Sequence, residues 1–193
     1  ADPATAAAWG TVPPFRTGGV IVLAAADSVR RQARDRFVGA EVLRQLAGGD
    51  LLVVTKCDLV EPGDVDDVHR WLGRVAPGVP QVDAVAGDVP VDVVLGVAPG
   101  SGVRLASDDR SGLHADRYRT WTWTADSALT IDALHGVLDD MGEVLRVKGV
   151  VRLVEGGSVL VQVVGRRRDI TPAPPGVGQE GVSELVAIAL ADH

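Results

Sequence analysis

Thr55-Lys56-Cys57-Asp58 follows directly on Leu51-Leu52-Val53-Val54, an apolar run of the kind shown by a strand buried on both faces. In an open parallel sheet, ligands bind outside the carboxyl ends of the strands. A carboxylate placed there accepts charge-assisted hydrogen bonds, each contributing about 1.5–3 kcal/mol. A lysine beside it offers a flexible alkyl stem that can lie along an apolar plane, which a planar guanidinium does less well. The lysine is a notable choice in this chain. There is no Asn, and Lys occurs only at Lys56 and Lys148, against seventeen Arg (19 − 2 = 17). An ordinary solvated strand end uses the same residue types, so the surrounding elements decide between the two readings.

Other polar groups carry less. His69, His114, His135 and His193 are scattered, and no metal site is expected from them. Arg166-Arg167-Arg168 reads as a solvated strand end, with a phosphate or acidic partner as the alternative. Trp121 and Trp123, two residues apart, read as core under a neighbouring helix, with a stacking platform as the alternative. Asp108-Asp109 and Asp139-Asp140 have no nucleophile or base at telling spacing and read as solvated. No catalytic residue and no metal ligand is assigned.

The first half alternates strand and helix. Gly19 to Ala25 reads as a strand, and Asp27-Ser28 as a helix N-cap. Val38, Val42, Leu43 and Leu46 share a helical stripe that Gly48-Gly49 ends. Leu51 to Val54 is the next strand, residues 65–75 a helix, and Val82 to Ala86 a third strand. This order predicts right-handed crossovers and a parallel sheet. Residues 97–113 are dominated by Gly, Ser, Pro and Asp and read as a linker. Beyond them, Arg119 to Thr124 alternates as a strand with both Trp on one face. Thr130 caps a helix carrying Ile131, Leu134, Leu138 and Met141. Val144–Val154 and Ser158–Val164 read as a hairpin turned at Glu155-Gly156-Gly157. Pro172 to Gly181 reads as a loop, and Leu185 to Leu190 suits strand or helix equally. The fold class is therefore α/β followed by α+β with an antiparallel sheet.

Composition bounds the function. The chain has 193 residues and a net charge of −7, which argues against nucleic-acid binding by bulk electrostatics. Hydrophobic residues make up 46% and charged residues 23%, so a packed core is expected. The single Cys57 excludes a disulfide framework or a multi-cysteine metal site within these residues. The run Val20 to Ala26 is far short of the roughly 20 residues a membrane helix needs. With no signal-peptide pattern, the cytoplasm is the expected location.

Taken together, these segments resemble the CobW family of P-loop GTPases, the metallochaperone and cobalamin-biosynthesis group. Thr55-Lys56-Cys57-Asp58 resembles the guanine-specificity motif N-K-x-D, and residues 50–60 the family's D-x-x-x-x-N-K-x-D-L-V run. Val20 to Asp27 resembles the preceding strand, and Gly87-Asp88-Val89-Pro90 with Leu95-Gly96 the closing G-D-V-x and L-x-G segment. Ala1-Asp2-Pro3 resembles the tail of E-x-x-G-L-A-D-P, which would start this sequence just past the third GTPase motif. His114 precedes the second domain where the family often has a His. Leu145-Arg146-Val147-Lys148-Gly149 resembles the L-R-x-K-G signature of the CobW C-terminal domain, and Leu160 to Gly165 the strand after it. The departures are definite. Thr55 stands where Asn is usual, as in SRP-type GTPases. No G-x-x-x-x-G-K-S/T and no C-x-C-C occurs in these 193 residues, and the family's last helix is not expected within them.

The resemblance implies residues 1–96 as the C-terminal half of a P-loop G domain, 97–113 as linker and 114–193 as a CobW-like C-terminal domain. It implies Thr55, Lys56 and Asp58 at a guanine base, with Val85, Ala86 and Gly87 closing the pocket. It implies GTP and Mg²⁺ in the parent protein, with zinc or cobalt as cargo. The client would be a metalloprotein or a cobalamin-pathway enzyme, and neither nucleic acid nor membrane is expected as a partner. The alternative is a free-standing, non-catalytic interaction module derived from such a GTPase.

Overall fold

The computed structural model describes residues 18–95, 118–174, 177–178 and 182–191. The linker at 97–113, the Ala1-Asp2-Pro3 segment, Gly96, His114 and His193 lie outside them. The chain divides into two compact units, Ala1–Val89 and Pro90–His193.

In the first unit β1 (Ile21–Ala25), β2 (Leu51–Thr55) and β3 (Gln81–Ala84) form a parallel sheet in the order β1-β2-β3. Ala25 pairs with Thr55 and Thr55 with Ala84, so the three carboxyl ends lie side by side. β2 is buried along both faces, as its unbroken apolar run predicts. Helices α1 (Val29–Ala33), α2 (Gly39–Ala47) and α3 (Pro62–Val75) accompany the sheet. Ala24, Leu46, Leu52, Val54, Val68 and Leu72 form the core of this unit.

The single helical stripe expected after Ser28 is corrected to two helices. The Asp35 carboxylate accepts from the amides of Phe37 at 2.7 Å and Val38 at 3.1 Å, which holds a turn between α1 and α2. Leu46 is buried, but Val38 and Leu43 are exposed. Nor does Ser28 cap α1 through its side chain; its hydroxyl donates to Asp27 Oδ1 instead. The third strand ends at Ala84, two residues early, because Val85–Asp88 closes a tight turn.

In the second unit α4 (Val91–Leu95) precedes β4 (Tyr118–Ala125), α5 (Ile131–Asp140), β5 (Arg146–Arg152), β6 (Ser158–Val164), β7 (Arg167–Pro172) and β8 (Ser183–Leu190). The sheet is antiparallel throughout, in the order β4-β8-β5-β6-β7. Thr130 caps α5, its hydroxyl accepting from Ala133 N at 3.1 Å. Gly156 and Gly157 take positive φ in the β5–β6 turn, where a side chain would be strained. Leu134 and Leu138 pack on Val147, Val151, Val161, Val163, Leu185 and Ala187, with Trp121, Trp123 and Met141 against the same cluster. The Trp pair is therefore core-facing, as the alternation predicts. Leu185 to Leu190, open between strand and helix in the sequence, is strand β8.

β7 is not anticipated by the sequence. Arg167–Pro172 lacks an apolar alternation and is held by its ladder to β6. The arginines here are paired, not merely solvated. Arg167 Nε meets Asp169 Oδ2 at 2.9 Å, and Arg168 pairs with Asp139 and reaches the Leu138 carbonyl at the end of α5.

Candidate functional site

The three parallel strand ends of the first unit bring Asp27, Thr55–Asp58 and Val85–Gly87 to one edge. Backbone bonds fix the frame, with Ala26 N donating to Thr55 O at 2.9 Å. Just past β2 the chain turns abruptly. Lys56 takes the left-handed conformation, φ 60 and ψ 31, and Cys57–Leu59 forms a single 3₁₀ turn. A left-handed non-glycine residue costs about 1–2 kcal/mol, and such strain collects at functional sites. The Cys57 thiol donates to the Val54 carbonyl at 3.2 Å, which ties the turn to the strand.

Lys56 and Asp58 make separate long-range contacts. Lys56 Nζ lies 3.1 Å from Asp27 Oδ2 at the end of β1. The Ser28 hydroxyl first, and the Lys56 ammonium second, hold the Asp27 carboxyl below the usual carboxylate range. Asp58 Oδ1 accepts the Ala86 amide at 3.0 Å. Ala86 and Gly87 both have positive φ, and Asp88 N donates back to Val85 O at 2.9 Å. That is the pattern of a type I′ turn, which presents the Ala86 N–H outward at the sheet edge.

All six residues singled out from the sequence (Thr55, Lys56, Asp58, Val85, Ala86 and Gly87) thus lie on this edge. Thr55 is half-buried at the end of β2, and Lys56, Asp58, Val85 and Gly87 are exposed. A carboxylate has about four lone-pair sites, so Asp58 can hold Ala86 and accept two further N–H groups. Asp27, a helix N-cap and the end of the Val20 to Asp27 segment in the sequence reading, is not among the site residues expected there; its place at the carboxyl end of the neighbouring parallel strand was the available signal. Among the described residues no three His, Cys, Asp or Glu side chains converge to hold a metal ion.

The second unit explains its own signature. Arg146 is buried and its Nε donates to Val93 O at 2.9 Å. Lys148, two residues along the same face of β5, donates to Leu95 O. Two cations thus meet the carbonyls that α4 leaves open at its C-terminal end. Burial, then the neighbouring Arg146, push the Lys148 ammonium below its ordinary range.

A five-stranded antiparallel sheet packed against α5, with an Arg-x-Lys-Gly central strand, defines an α+β domain. Residues 118–192 match the family model described as the cobalamin synthesis protein cobW C-terminal domain. No curated protein matches the chain. Among solved structures the chain is similar to a zinc-bound triple mutant of the YjiA GTPase, with 20% identity and a TM-score of 0.38, over 98% of this chain and 62% of that one. It is also similar to zinc-bound YjiA GTPase from E. coli, with 21% identity and a TM-score of 0.36, over 92% and 58%. The chain thus spans about three-fifths of the length of these proteins. No helix among the described residues is long and apolar enough to cross a membrane.

Proposed function

We propose that this chain is the base-recognising part of a CobW-type GTP-binding protein, joined to its C-terminal partner domain. The observation that carries the reading is the convergence of Lys56, Asp58 and Ala86 at adjoining strand ends. Guanine presents N1–H and an exocyclic amino group on one edge, and the Asp58 carboxylate accepts both. Adenine offers no such pair. The Lys56 stem lies along the base, and the Val85–Gly87 turn closes over its rim. Thr55 replaces the usual Asn at the strand end. In the whole protein, GTP binding and hydrolysis would drive delivery of zinc or cobalt to a client metalloprotein or cobalamin-pathway enzyme. Mg²⁺ would sit beside the nucleotide phosphates. This sequence contains no phosphate-loop motif, and the described residues hold no cluster fitted to that ion. The part played by this chain is therefore recognition of the base.

Amide NMR with guanosine and adenosine monophosphates tests the assignment. GMP is expected to shift Lys56–Asp58 and Val85–Gly87, AMP to leave them, and Asp58→Ala to abolish the GMP effect. Equal responses to both nucleotides, or none, would favour the interaction module.

Phosphoryl transfer depends on positioned phosphates and a bound metal ion. The purified chain is therefore expected to release no phosphate from GTP above buffer background. Release that Asp58→Ala removes would assign hydrolysis to these residues.

A further inference from the structure

His69 stands on α3, the helix that follows the Lys56–Asp58 turn, and its ring reaches across to β3, which leads into the Val85–Asp88 turn. Nδ1 lies 2.8 Å from Gln81 Oε1 and Nε2 lies 2.6 Å from Asp83 Oδ1. The Gln81 amide is oriented by its own Nε2, which donates to the His69 carbonyl at 3.4 Å. Its oxygen therefore faces the ring. Both ring nitrogens meet acceptors. A neutral imidazole carries one N–H and can satisfy only one of them; the imidazolium satisfies both.

We propose that His69 is a proton-dependent positioning residue of the base site. As an imidazolium it clamps α3 to β3, and so fixes the approach of Asp58, ahead of α3, to the Ala86 amide, just past β3. On losing its proton it releases one acceptor and slackens the Asp58–Ala86 bond. The clamp regulates the site under Proposed function and rests on that reading for its biological meaning, but its physical test needs no nucleotide.

The charges acting on the ring agree in sign. Asp83 on β3 and Asp66 on α3 both favour the proton, against burial, and the Asp83 hydrogen bond is the largest influence. The ring therefore titrates above its ordinary value. The clamp is fully present below about pH 6.5, the unfolded value, and is lost as pH rises through the raised folded value.

Amide and ring NMR of the whole chain, titrated from about pH 5.5 to about pH 8.5, provides the test. The Ala86 amide is expected to shift with the same midpoint as the His69 ring. Its hydrogen exchange, after correction for the intrinsic rise with pH, is expected to quicken about tenfold across that midpoint, as for one weakened charge-assisted bond. His69→Gln should remove the Ala86 transition. Asp83→Asn keeps the ring and should lower both midpoints together, which covers the case of a poorly folded His69 variant. An Ala86 amide that does not follow the His69 ring, in the wild type or in Asp83→Asn, overturns the proposal. That outcome leaves guanine-specific shifts intact, whereas failure of guanine binding leaves the Ala86 titration intact.

Discussion

Gly149→Ala is expected to destabilise the second unit strongly and lower its melting midpoint. A Cβ at Gly149 would lie 2.0 Å from the Glu184 carbonyl oxygen, 2.6 Å from Leu185 Cδ2 and 2.7 Å from Leu185 Cα. Two of these atoms are backbone, and Gly149 pairs with Leu185 in the β5–β8 ladder. Relief therefore requires the two strands to part in the middle of the sheet, opening the core around the fully buried Leu185. Overpacking a core costs about 1–3 kcal/mol when side chains can yield. Here the backbone must yield, so the loss should be about 3 kcal/mol or more. At about 4–8 °C per kcal/mol for a domain of this size, the midpoint should fall by at least about 12 °C. Calorimetry of the chain, with amide exchange at Val161 and Ala187 to assign the transition, measures it. A Gly149→Ala protein that melts with the wild type would show that β5 and β8 do not need this close approach.

The same position shows what the sequence could and could not convey. Arg146, Lys148 and Gly149 stood out through their resemblance to the L-R-x-K-G signature, but their separate tasks did not. Two of them end a helix more than fifty residues earlier in the chain, and the third makes room for β8. Elements with a strong local pattern were legible. The double-sided apolar run of β2, the alternation around Trp121 and Trp123, the Thr130 cap and the Gly156-Gly157 turn each encode their structure within a few residues. The break between α1 and α2 was not legible, because it depends on one carboxylate, Asp35, accepting the amides of Phe37 and Val38 just ahead of the apolar stripe. β7 was hidden because a charged edge strand owes its form to its partner's ladder and not to its own periodicity. In the candidate site, Lys56 and Asp58 were visible as a motif. Asp27 and His69 were not, since each acquires its role only when parallel strands bring distant residues to one edge or one face.

Asp58→Asn is expected to exchange the base preference in a protein that supplies the phosphate-binding half. The substitution is nearly isosteric, and the Asn carbonyl oxygen can still accept the Ala86 amide that Asp58 holds at 3.0 Å, so the turn should survive. What changes is the edge offered to the base. The carboxylate presents two acceptors, matched to guanine N1–H and its amino group. The carboxamide presents one acceptor and one donor, so the donor confronts the guanine amino group. Xanthine carries a carbonyl at that position and restores the match. Sites built to hydrogen-bond a group reject analogues lacking it by up to about 10⁴-fold, because the buried partners are left unpaired. The site here is open to solvent on one side, since Asp58 is exposed before the base arrives, so the loss for GTP should approach that figure only if the base buries the pair. Competition binding of GTP, XTP and ATP to wild type and variant reads the exchange directly. GTP should weaken, XTP should tighten, and ATP should stay weak in both. An unchanged GTP affinity would remove Asp58 from the base site, and loss of GTP without gain of XTP would make it a support for the Ala86 turn alone.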